Sequence, residues 1–437
     1  MGWRHSCTLF LAAIVGAGCS DPDDRPDVLV VTLDTFRADH MSVAGYPRST
    51  TPRLDALAAS GVRFERCRAP MSTTLPSHLS LFTGTHPLRH GVLSNISGGQ
   101  VYERDRGLTT LAEVFEDSGY RTGAFVSSIV LRKGMGLVTG FDEYDVPDGS
   151  QRPGQDTLEL ALDWWSRAEQ DARFMWVHLF DPHLPHIAPD SLQHLFRGDD
   201  LAGGILEPRG MQVRPELVSH LNAYDRELVH TDALVGELLD AVGDDTIVLV
   251  VGDHGEGLWQ HGWEAHGYLW EEQLRVPAIL RAPDLEPRVE ESPSSVMDLA
   301  PLLLEQISEV DGEVILEQAA RTRELLGDSH LALATAERSI EHAFERTLWI
   351  EGPWALIRRV RRQSPDDVEH DLYHLDKDPH QLVDRSDWRP GRVNGMEKRM
   401  LDTAAQLMQG AGGRTRRATA EERAHLEALG YGAPDEP

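Results

Sequence analysis

The hydrophobic pattern of the chain predicts short buried strands that alternate with amphipathic helices between residue 27 and about residue 310. Nearly uninterrupted apolar runs rich in β-branched residues predict strands at 27–34, 122–127, 174–180 and 246–251. Such runs are typical of parallel strands buried on both faces. Apolar residues at helical spacing predict helices at 51–60, from Pro76 onward, at 108–118, at 158–168 and within 215–242. The alternation indicates an α/β fold, with a mainly parallel central sheet that carries helices on both faces.

The pattern changes beyond about residue 310. A charged helix is predicted at 313–326, and two apolar segments at 346–350 and 354–358 predict strands joined by a turn. A terminal helix follows. We therefore expect a main domain at 27–310 and a smaller α+β C-terminal subdomain at 311–437, with a short antiparallel sheet.

Two of the predicted strands stop on a carboxylate. The run that starts at residue 27 ends at Asp34, and the run that starts at residue 246 leads to Asp253 and His254. Ligands of open α/β sheets bind beyond the carboxyl ends of the strands, so these side chains converge if the strands are neighbours. Two carboxylates and an imidazole can bind a divalent metal. In the alternative interpretation, Asp34 caps a helix and residues 253–255 form an ordinary turn.

Thr74 lies just before the helix start marked by Pro76. A hydroxyl at a helix N-terminus faces unpaired backbone N–H groups, which suit an oxyanion. A neighbouring metal could make this hydroxyl nucleophilic. Equally, threonine before proline is a common helix-capping residue.

Three histidines, His78, His183 and His266, each follow a segment that is predicted to build the site. Histidine can bind a substrate anion or protonate a leaving alkoxide near neutral pH. For a single histidine of the 20 in the chain, a surface or packing role is the alternative.

The composition is acidic, with 42 Lys and Arg against 71 Asp and Glu and a net charge of −29. This balance argues against nucleic acid as a partner, because binding to phosphate backbones needs a basic surface. A small anionic substrate stays compatible, since a metal and histidines can invert the field in one cleft.

The N-terminus predicts export. A basic start and an apolar run too short to span a bilayer indicate a signal peptide at residues 1–19, followed by a polar tether at 20–26. Cys19 follows small residues, as at a bacterial lipoprotein cleavage site, so a lipid anchor there is the one predicted membrane attachment. We therefore expect a periplasmic or cell-surface protein. Cys67, which would remain after processing, is expected to be a small core residue.

These motifs together resemble the sulfatase family of the alkaline-phosphatase-like superfamily. The resemblance rests on segments that occur in the family's order: 30–39, 51–64, 74–84, 181–183, 252–256, 266–277 and 371–379. It implies metal ligation by Asp34, Asp253 and His254, and it places Thr74 at the nucleophile position. It also places His183 beside the substrate anion, and His266 where many sulfatases carry a substrate-binding lysine.

The chain departs from the family at three further positions. Formylglycine-dependent sulfatases need Cys or Ser at the nucleophile position and an arginine four residues later, where this chain has Thr74 and His78. Oxidation of threonine would give a ketone, which excludes the aldehyde mechanism. Thr35 replaces the second carboxylate of the usual Asp-Asp pair. The remaining ligands, with the Thr74 hydroxyl, favour zinc or manganese, and calcium is the less suited ion.

The resemblance therefore predicts an exported, metal-dependent hydrolase of sulfate, phosphate or phosphonate esters. Its substrate would be a small anionic ester or a sulfated or phosphorylated glycan. A second metal held by Asp181, His183 and His266 is a further hypothesis. Two other functions stay open, namely a phosphoryl-group transferase acting on surface glycans or lipids, and a catalytically silent protein that binds anionic glycans.

Overall fold

The computed structural model describes residues 25–95, 100–103, 107–167, 171–197, 215–335, 344–361, 364–409, 414–417 and 420. The strands are β1 (Val28–Leu33), β2 (Val62–Phe64), β3 (Cys67–Arg68), β4 (Gln100–Glu103), β5 (Arg121–Val126), β6 (Glu143–Asp145), β7 (Arg173–Leu179), β8 (Ile247–Gly252), β9 (Ala278–Arg281), β10 (Arg288–Glu290), β11 (Ser294–Ser295), β12 (His330–Thr335), β13 (Phe344–Glu351), β14 (Trp354–Arg361), β15 (Ser364–His374) and β16 (Arg414–Arg417). The α-helices are α1 (Pro52–Ala59), α2 (Thr74–Thr83), α3 (Pro87–His90), α4 (Leu111–Asp117), α5 (Gly154–Arg167), α6 (Pro215–Val242), α7 (Glu271–Leu274), α8 (Leu299–Leu304), α9 (Glu313–Leu326) and α10 (Pro390–Met408).

The central sheet has eight strands in the order β10-β2-β9-β8-β1-β7-β5-β6. All of its strand pairs are parallel except those of β9, which runs antiparallel to both β2 and β8. The expected mainly parallel sheet is therefore confirmed. Strand β1 lies between β8 and β7, at the middle of the sheet.

Helices cover both faces of this sheet. The alternation of side chains along β1 sends Val28 and Val30 into one hydrophobic cluster, with residues of α2, α4 and α8. The same alternation sends Leu29 and Val31 into the opposite cluster, with residues of α1, α5 and α6. Both faces of β1 are thus buried, which explains why its sequence is apolar without interruption.

Helix α2 begins two residues earlier than the sequence pattern predicts. Its first residue is Thr74, and Thr73 occupies the N-cap position. Pro76 lies within the first turn, where a missing N–H costs nothing because those groups have no partner inside the helix. The position of the proline therefore predicts the start of this helix only to within one turn.

The C-terminal part forms an antiparallel sheet in the order β12-β13-β14-β15. The predicted hairpin is present, with Gly352 at a φ of 55° in the turn between β13 and β14. Helix α9 links the two parts, since Ile315 packs in the main core and Leu326 packs against the C-terminal sheet. The boundary at residue 311 stays a prediction.

Cys67 is buried and unpaired, and burial raises the pKa of its thiol to about 12. This fits the expected core role, because such a thiol stays protonated and unreactive. The predicted signal peptide, Cys19 and most of the tether lie outside the described residues. No helix in the described ranges is long and apolar enough to cross a membrane.

His86 is a buried histidine that should make the fold sensitive to acid. Its Nδ1 accepts the N–H of Leu88 at 3.2 Å, so Nε2 carries the proton and donates to the Leu331 carbonyl at 3.1 Å. Burial lowers its pKa to about 4. A histidine whose folded pKa is depressed contributes stability above its unfolded pKa of about 6.5 and loses that contribution as the pH falls toward 4.

We therefore expect the free energy of unfolding to fall by about 1 to 2 kcal/mol on acidification from pH 7 to pH 5 because of His86. Urea unfolding at the two pH values measures this change. His86→Gln, which cannot be protonated, should show a smaller loss over the same interval. Equal losses in the two proteins would show that His86 is not responsible.

Candidate metal centre and active site

Two neighbouring strand ends create the site. Strands β1 and β8 are parallel, and their register pairs Leu33 with Gly252. The next residues, Asp34 and Asp253, therefore leave the sheet at the same edge. The Asp253 N–H donates to the Leu33 carbonyl at 3.2 Å, which ties the two ends together. The convergence expected from the sequence is present.

The side chains that follow these ends lie around one point. One carboxylate oxygen each from Asp34 and Asp253 and one ring nitrogen of His254 lie within 4.8 Å of one another, and all three residues are buried. Thr74 Oγ1 lies 3.2 Å from Asp34 Oδ2 and 3.4 Å from His254 Nε2. His254 Nε2 lies 3.6 Å from Asp253 Oδ2. Four potential ligand atoms are therefore in place.

The hydrogen bonding of these groups fits a cation. His254 Nδ1 lies 3.0 Å from the Gly255 carbonyl, which can only accept, so Nε2 keeps its lone pair. Asp34 Oδ1 and Asp253 Oδ2 are buried and have no hydrogen-bond partner among the described residues. Buried carboxylate oxygens without partners are costly. A divalent cation would satisfy both oxygens and the imidazole, and this donor set suits zinc or manganese.

Without a cation, the pKa values of Asp253 and Asp34 are shifted in opposite directions. Burial and the nearby Asp34 carboxylate raise the pKa of Asp253 well above its ordinary value. Burial also acts to raise the pKa of Asp34, but the contact with His178 and the charges of His254 and His183 outweigh it and lower this pKa. A buried pair of carboxylates that share one site behaves in this way when no cation neutralises them.

Thr74 is the first residue of α2, and it is not the helix cap. Thr73 holds the cap position, and the Thr74 hydroxyl points instead to Asp34 and His254. The Ser77 hydroxyl donates to the Asp253 carbonyl at 2.6 Å, which fixes the start of α2 against the end of β8. The geometry therefore favours the nucleophile interpretation of Thr74 over the capping interpretation.

Thr35, which stands where a second carboxylate was expected, has a strained backbone. Its φ of 52° is rare for a β-branched residue. Its N–H donates to Asp253 Oδ1 at 3.2 Å, and Tyr224 donates to its carbonyl at 2.7 Å. These contacts hold the left-handed turn, and such strain is typical of functional sites. The Thr35 hydroxyl is buried and has no partner among the described residues.

His183 and His266 lie together beside the cluster. Their Nε2 atoms are 3.3 Å apart, and the His266 ring centroid is 4.4 Å from that of His254. Each Nδ1 lies within hydrogen-bond distance of a backbone carbonyl, of Leu184 for His183 and of Ser72 for His266. Since carbonyls only accept, both Nδ1 atoms carry protons and both Nε2 atoms face the site. Burial and His254 lower the pKa of His266 well below its ordinary value.

The structure does not assemble the hypothetical second metal site. Asp181, His183 and His266 are all described, but their ligand atoms do not form a group within 4.8 Å of one another. Asp181 Oδ1 instead accepts the N–H of Gly154 at 3.0 Å, at the start of α5. The placement of Asp181 therefore contradicts that ligand set.

His78 is buried with both ring nitrogens occupied. Its Nδ1 donates to the Thr74 carbonyl at 2.8 Å, one turn earlier in α2. Its Nε2 lies 2.9 Å from the Thr32 hydroxyl, which also accepts the Trp176 N–H. This arrangement leaves no nitrogen for a substrate anion. It favours a supporting role for His78 beneath Thr74 over the predicted contact with substrate.

His178 lies at the site although the sequence pattern did not predict it. This residue of β7 pairs in register with Thr32, is fully buried, and has Nε2 3.4 Å from Asp34 Oδ2. The available signal was one polar residue inside an apolar strand, two positions after Trp176. The same alternation places Trp176 and His178 on the face that carries α2.

Known proteins resemble this chain in sequence and in fold. The sulfatase family model matches residues 26–308. The chain is 26% identical over 327 residues to the "Ulvan-active sulfatase" of Formosa agariphila, a match that covers 65% of this chain and 62% of that protein. It thus spans less than two thirds of the length of that relative.

Two solved structures share the fold. The phosphonate monoester hydrolase of Agrobacterium radiobacter aligns with a TM-score of 0.67 and 19% identity, over 90% of this chain and 100% of that one. A protein solved in complex with its substrate D-glucosamine-2-N,6-O-disulfate aligns with a TM-score of 0.68 and 16% identity, over 88% and 99% of the two chains. With the family match over more than half of its length, the chain belongs to the sulfatase family, whose members are metal-dependent hydrolases.

Proposed function

We propose that this protein is a metal-dependent hydrolase of sulfate, phosphate or phosphonate esters that uses Thr74 as its nucleophile. One observation carries the proposal. The Thr74 hydroxyl lies with Asp34, Asp253 and His254 around a single buried point, where two carboxylate oxygens have no hydrogen-bond partner in the part of the chain that the structure describes. A hydroxyl that only capped a helix would not need two buried carboxylates beside it.

A bound divalent cation would lower the pKa of the hydroxyl and withdraw charge from the ester oxygens. Asp34, Asp253 and His254 would hold it. The Thr74 hydroxyl proton passes to Nε2 of His183 or His266, which can accept it because the proton of each neutral ring is on Nδ1. Thr74 Oγ1 attacks the sulfur or phosphorus while the bond to the leaving oxygen breaks. The same Nε2 then donates the proton it has taken up to that oxygen. Water then cleaves the threonine ester and restores the hydroxyl. Threonine cannot form the formylglycine aldehyde, so this route differs from that of the formylglycine sulfatases.

The names of the similar proteins guide the choice of substrates. They include an ulvan-active sulfatase, a phosphonate monoester hydrolase and a protein that binds a disulfated glucosamine. We propose sulfated sugars and phosphonate or phosphate esters as the classes to compare. The test measures turnover of p-nitrophenyl sulfate, phosphate, phenylphosphonate and a phosphate diester after chelation and after addition of Zn, Mn or Ca.

We expect turnover of at least one ester that chelation removes and that Zn or Mn restores. Calcium should restore less, because its preference for six to eight oxygens is not met here. Turnover that persists at full rate in chelator would contradict the proposal. Binding of sulfated glycans without any turnover would instead support the silent, glycan-binding alternative.

The replacement of the second carboxylate by Thr35 gives a metal-selectivity prediction. Thr35→Asp adds a hard oxygen donor next to Asp34, so we expect the relative affinity for calcium over zinc to rise by about tenfold or more. Competition titrations of the metal-free protein measure this ratio. Thr35→Asn, which adds a neutral oxygen, is the matched control and should shift the ratio less. An unchanged ratio in Thr35→Asp would show that residue 35 does not face the cation.

Export is a separate proposal, supported by the sequence of residues 1–19 alone. We propose that the mature protein acts outside the cytoplasm, with a lipid anchor at Cys19. Globomycin treatment of expressing cells, followed by mass spectrometry of the N-terminal peptide, tests the processing at Cys19. An unprocessed N-terminus in untreated cells would contradict it.

A further inference from the structure

The two carboxylate oxygens of Asp34 have different surroundings. Oδ1 is buried and has no hydrogen-bond partner among the described residues, which leaves it for a cation. Oδ2 accepts the Thr74 hydroxyl at 3.2 Å and lies 3.4 Å from His178 Nε2. If Thr74 acts as a nucleophile, its hydroxyl cannot remain the donor to Oδ2. A second donor is then needed, because an unpaired buried oxygen is costly.

His178 is placed to be that donor. It is fully buried, and neither ring nitrogen has a partner in good hydrogen-bond geometry among the described residues. A buried imidazole without partners is unusual and calls for a physical explanation. The nearby Asp34 oxygen supplies one, since a small rotation of the ring brings Nε2–H to Oδ2. Pairing of β7 with β1 places His178 opposite Thr32, two residues before Asp34 on the same face of the strand.

We propose that His178 is a positioning residue that holds Asp34 Oδ2 so that Oδ1 faces the cation. The inference rests on the metal site proposed above. His178 acts through the Asp34 carboxylate and does not itself contact the substrate. Contacts of this kind fix the orientation of a ligand and typically change metal affinity by 10- to 100-fold.

A role for His178 as a metal ligand is less consistent with the structure. His178, His78 and Asp253 do bring three ligand atoms within 4.8 Å of one another. However, His78 already uses both ring nitrogens, for the Thr74 carbonyl and the Thr32 hydroxyl. Only two ligands would remain, fewer than the three protein ligands that catalytic metal sites usually provide.

The test compares two variants of similar shape, His178→Gln and His178→Met. Glutamine keeps an N–H donor near the position of Nε2, and methionine does not. Titration calorimetry of the metal-free protein with Zn or Mn measures affinity and stoichiometry. We expect His178→Met to bind about 10- to 100-fold more weakly than wild type, with unchanged stoichiometry, and His178→Gln to recover a large part of the loss.

The control is His86→Met, which replaces a buried imidazole that bonds to the backbone of Leu331 and Leu88 instead. Its metal affinity should match that of wild type. Thermal unfolding in chelator checks that each variant folds, and His178→Phe repeats the comparison with glutamine should the methionine variant not fold.

Three outcomes would overturn the inference. They are wild-type affinity in His178→Met, equal weakening in the glutamine and methionine variants, and loss of one metal equivalent per chain. Wild-type protein that binds no divalent metal would overturn the proposed function as well, so failures of the two proposals are distinguishable.

Discussion

Thr74→Ala is expected to lower ester turnover by about 10⁴-fold or more, the scale at which loss of a nucleophile acts in enzymes with covalent intermediates. The expectation follows from the Thr74 hydroxyl, which lies 3.2 Å from Asp34 Oδ2 and 3.4 Å from His254 Nε2. Two carboxylates and an imidazole remain in the variant, so most of the bound metal should remain too. Parallel measurement of kcat and of metal content per chain separates loss of chemistry from loss of the cation.

Two further variants control this experiment. Thr74→Ser keeps a hydroxyl at the same backbone position and should retain turnover far above that of the alanine variant. Thr83→Ala removes a buried hydroxyl from the other end of α2, where it donates to the Leu79 carbonyl at 2.6 Å, and should leave kcat nearly unchanged. Full activity in Thr74→Ala would show that the nucleophile is a different group.

Asp253→Asn is expected to weaken metal binding by more than about 100-fold. Loss of a hydrogen bond to a metal ligand typically costs about 10- to 100-fold, and this variant changes the ligand itself. The amide keeps an oxygen that can accept the N–H groups of Thr35 and His254, as Asp253 Oδ1 does at 3.2 and 2.7 Å. It loses the negative charge that the cation needs. The affinity measured by titration with Zn or Mn should fall, and so should turnover in excess metal.

The same variant should stabilise the metal-free protein. Burial and Asp34 raise the pKa of Asp253 well above its ordinary value. An acid whose folded pKa is raised destabilises the fold at any pH above its unfolded pKa, and one pKa unit corresponds to about 1.4 kcal/mol. We therefore expect the free energy of unfolding in chelator to be higher for Asp253→Asn than for the wild type. Added metal should stabilise the wild type and not the variant.

Asp181→Asn is the matched control, because Asp181 is another carboxylate with a pKa raised by burial that lies outside the ligand cluster. It should bind metal as the wild type does. If Asp253→Asn also keeps wild-type affinity, Asp253 is not a ligand.

Part of this site could be predicted because it depends on strand ends. The apolar runs before Asp34 and Asp253 showed two buried parallel strands, and the carboxyl ends of such strands share one edge of a sheet. That β8 and β1 are neighbours could not be derived from the pattern, since strand order depends on packing over the whole chain. The neighbour relation proved to be correct.

His78 and His178 show where the pattern was insufficient. The side chain of His78 is directed by the exact start of α2, and a helix that begins at Thr74 turns its ring onto the Thr74 carbonyl. His178 faces the site because of its register with Thr32, which apolar periodicity does not determine. The roles of His78 and His178 depend on where a helix starts and on strand register, to within one turn or one residue. The boundaries of helices and strands are not certain to that precision.

The C-terminal sheet shows a similar limit. The apolar hairpin of β13 and β14 was predicted, but the outer strands β12 and β15 were not. Strand β15 begins with the exposed polar segment 364–367, which has no buried face to give an alternating pattern. This segment forms a strand because it pairs with β14, although its own sequence has no strand pattern.

If one divalent cation binds where Asp34, Thr74, Asp253 and His254 meet, an anomalous difference map will show it. Crystals grown with manganese or zinc, measured at an energy where that metal scatters anomalously, would locate the ion. We expect one strong peak within bonding distance of both carboxylates, His254 Nε2 and Thr74 Oγ1. Absence of a peak there at saturating metal, or a peak bonded only to His183 and His266, would contradict it.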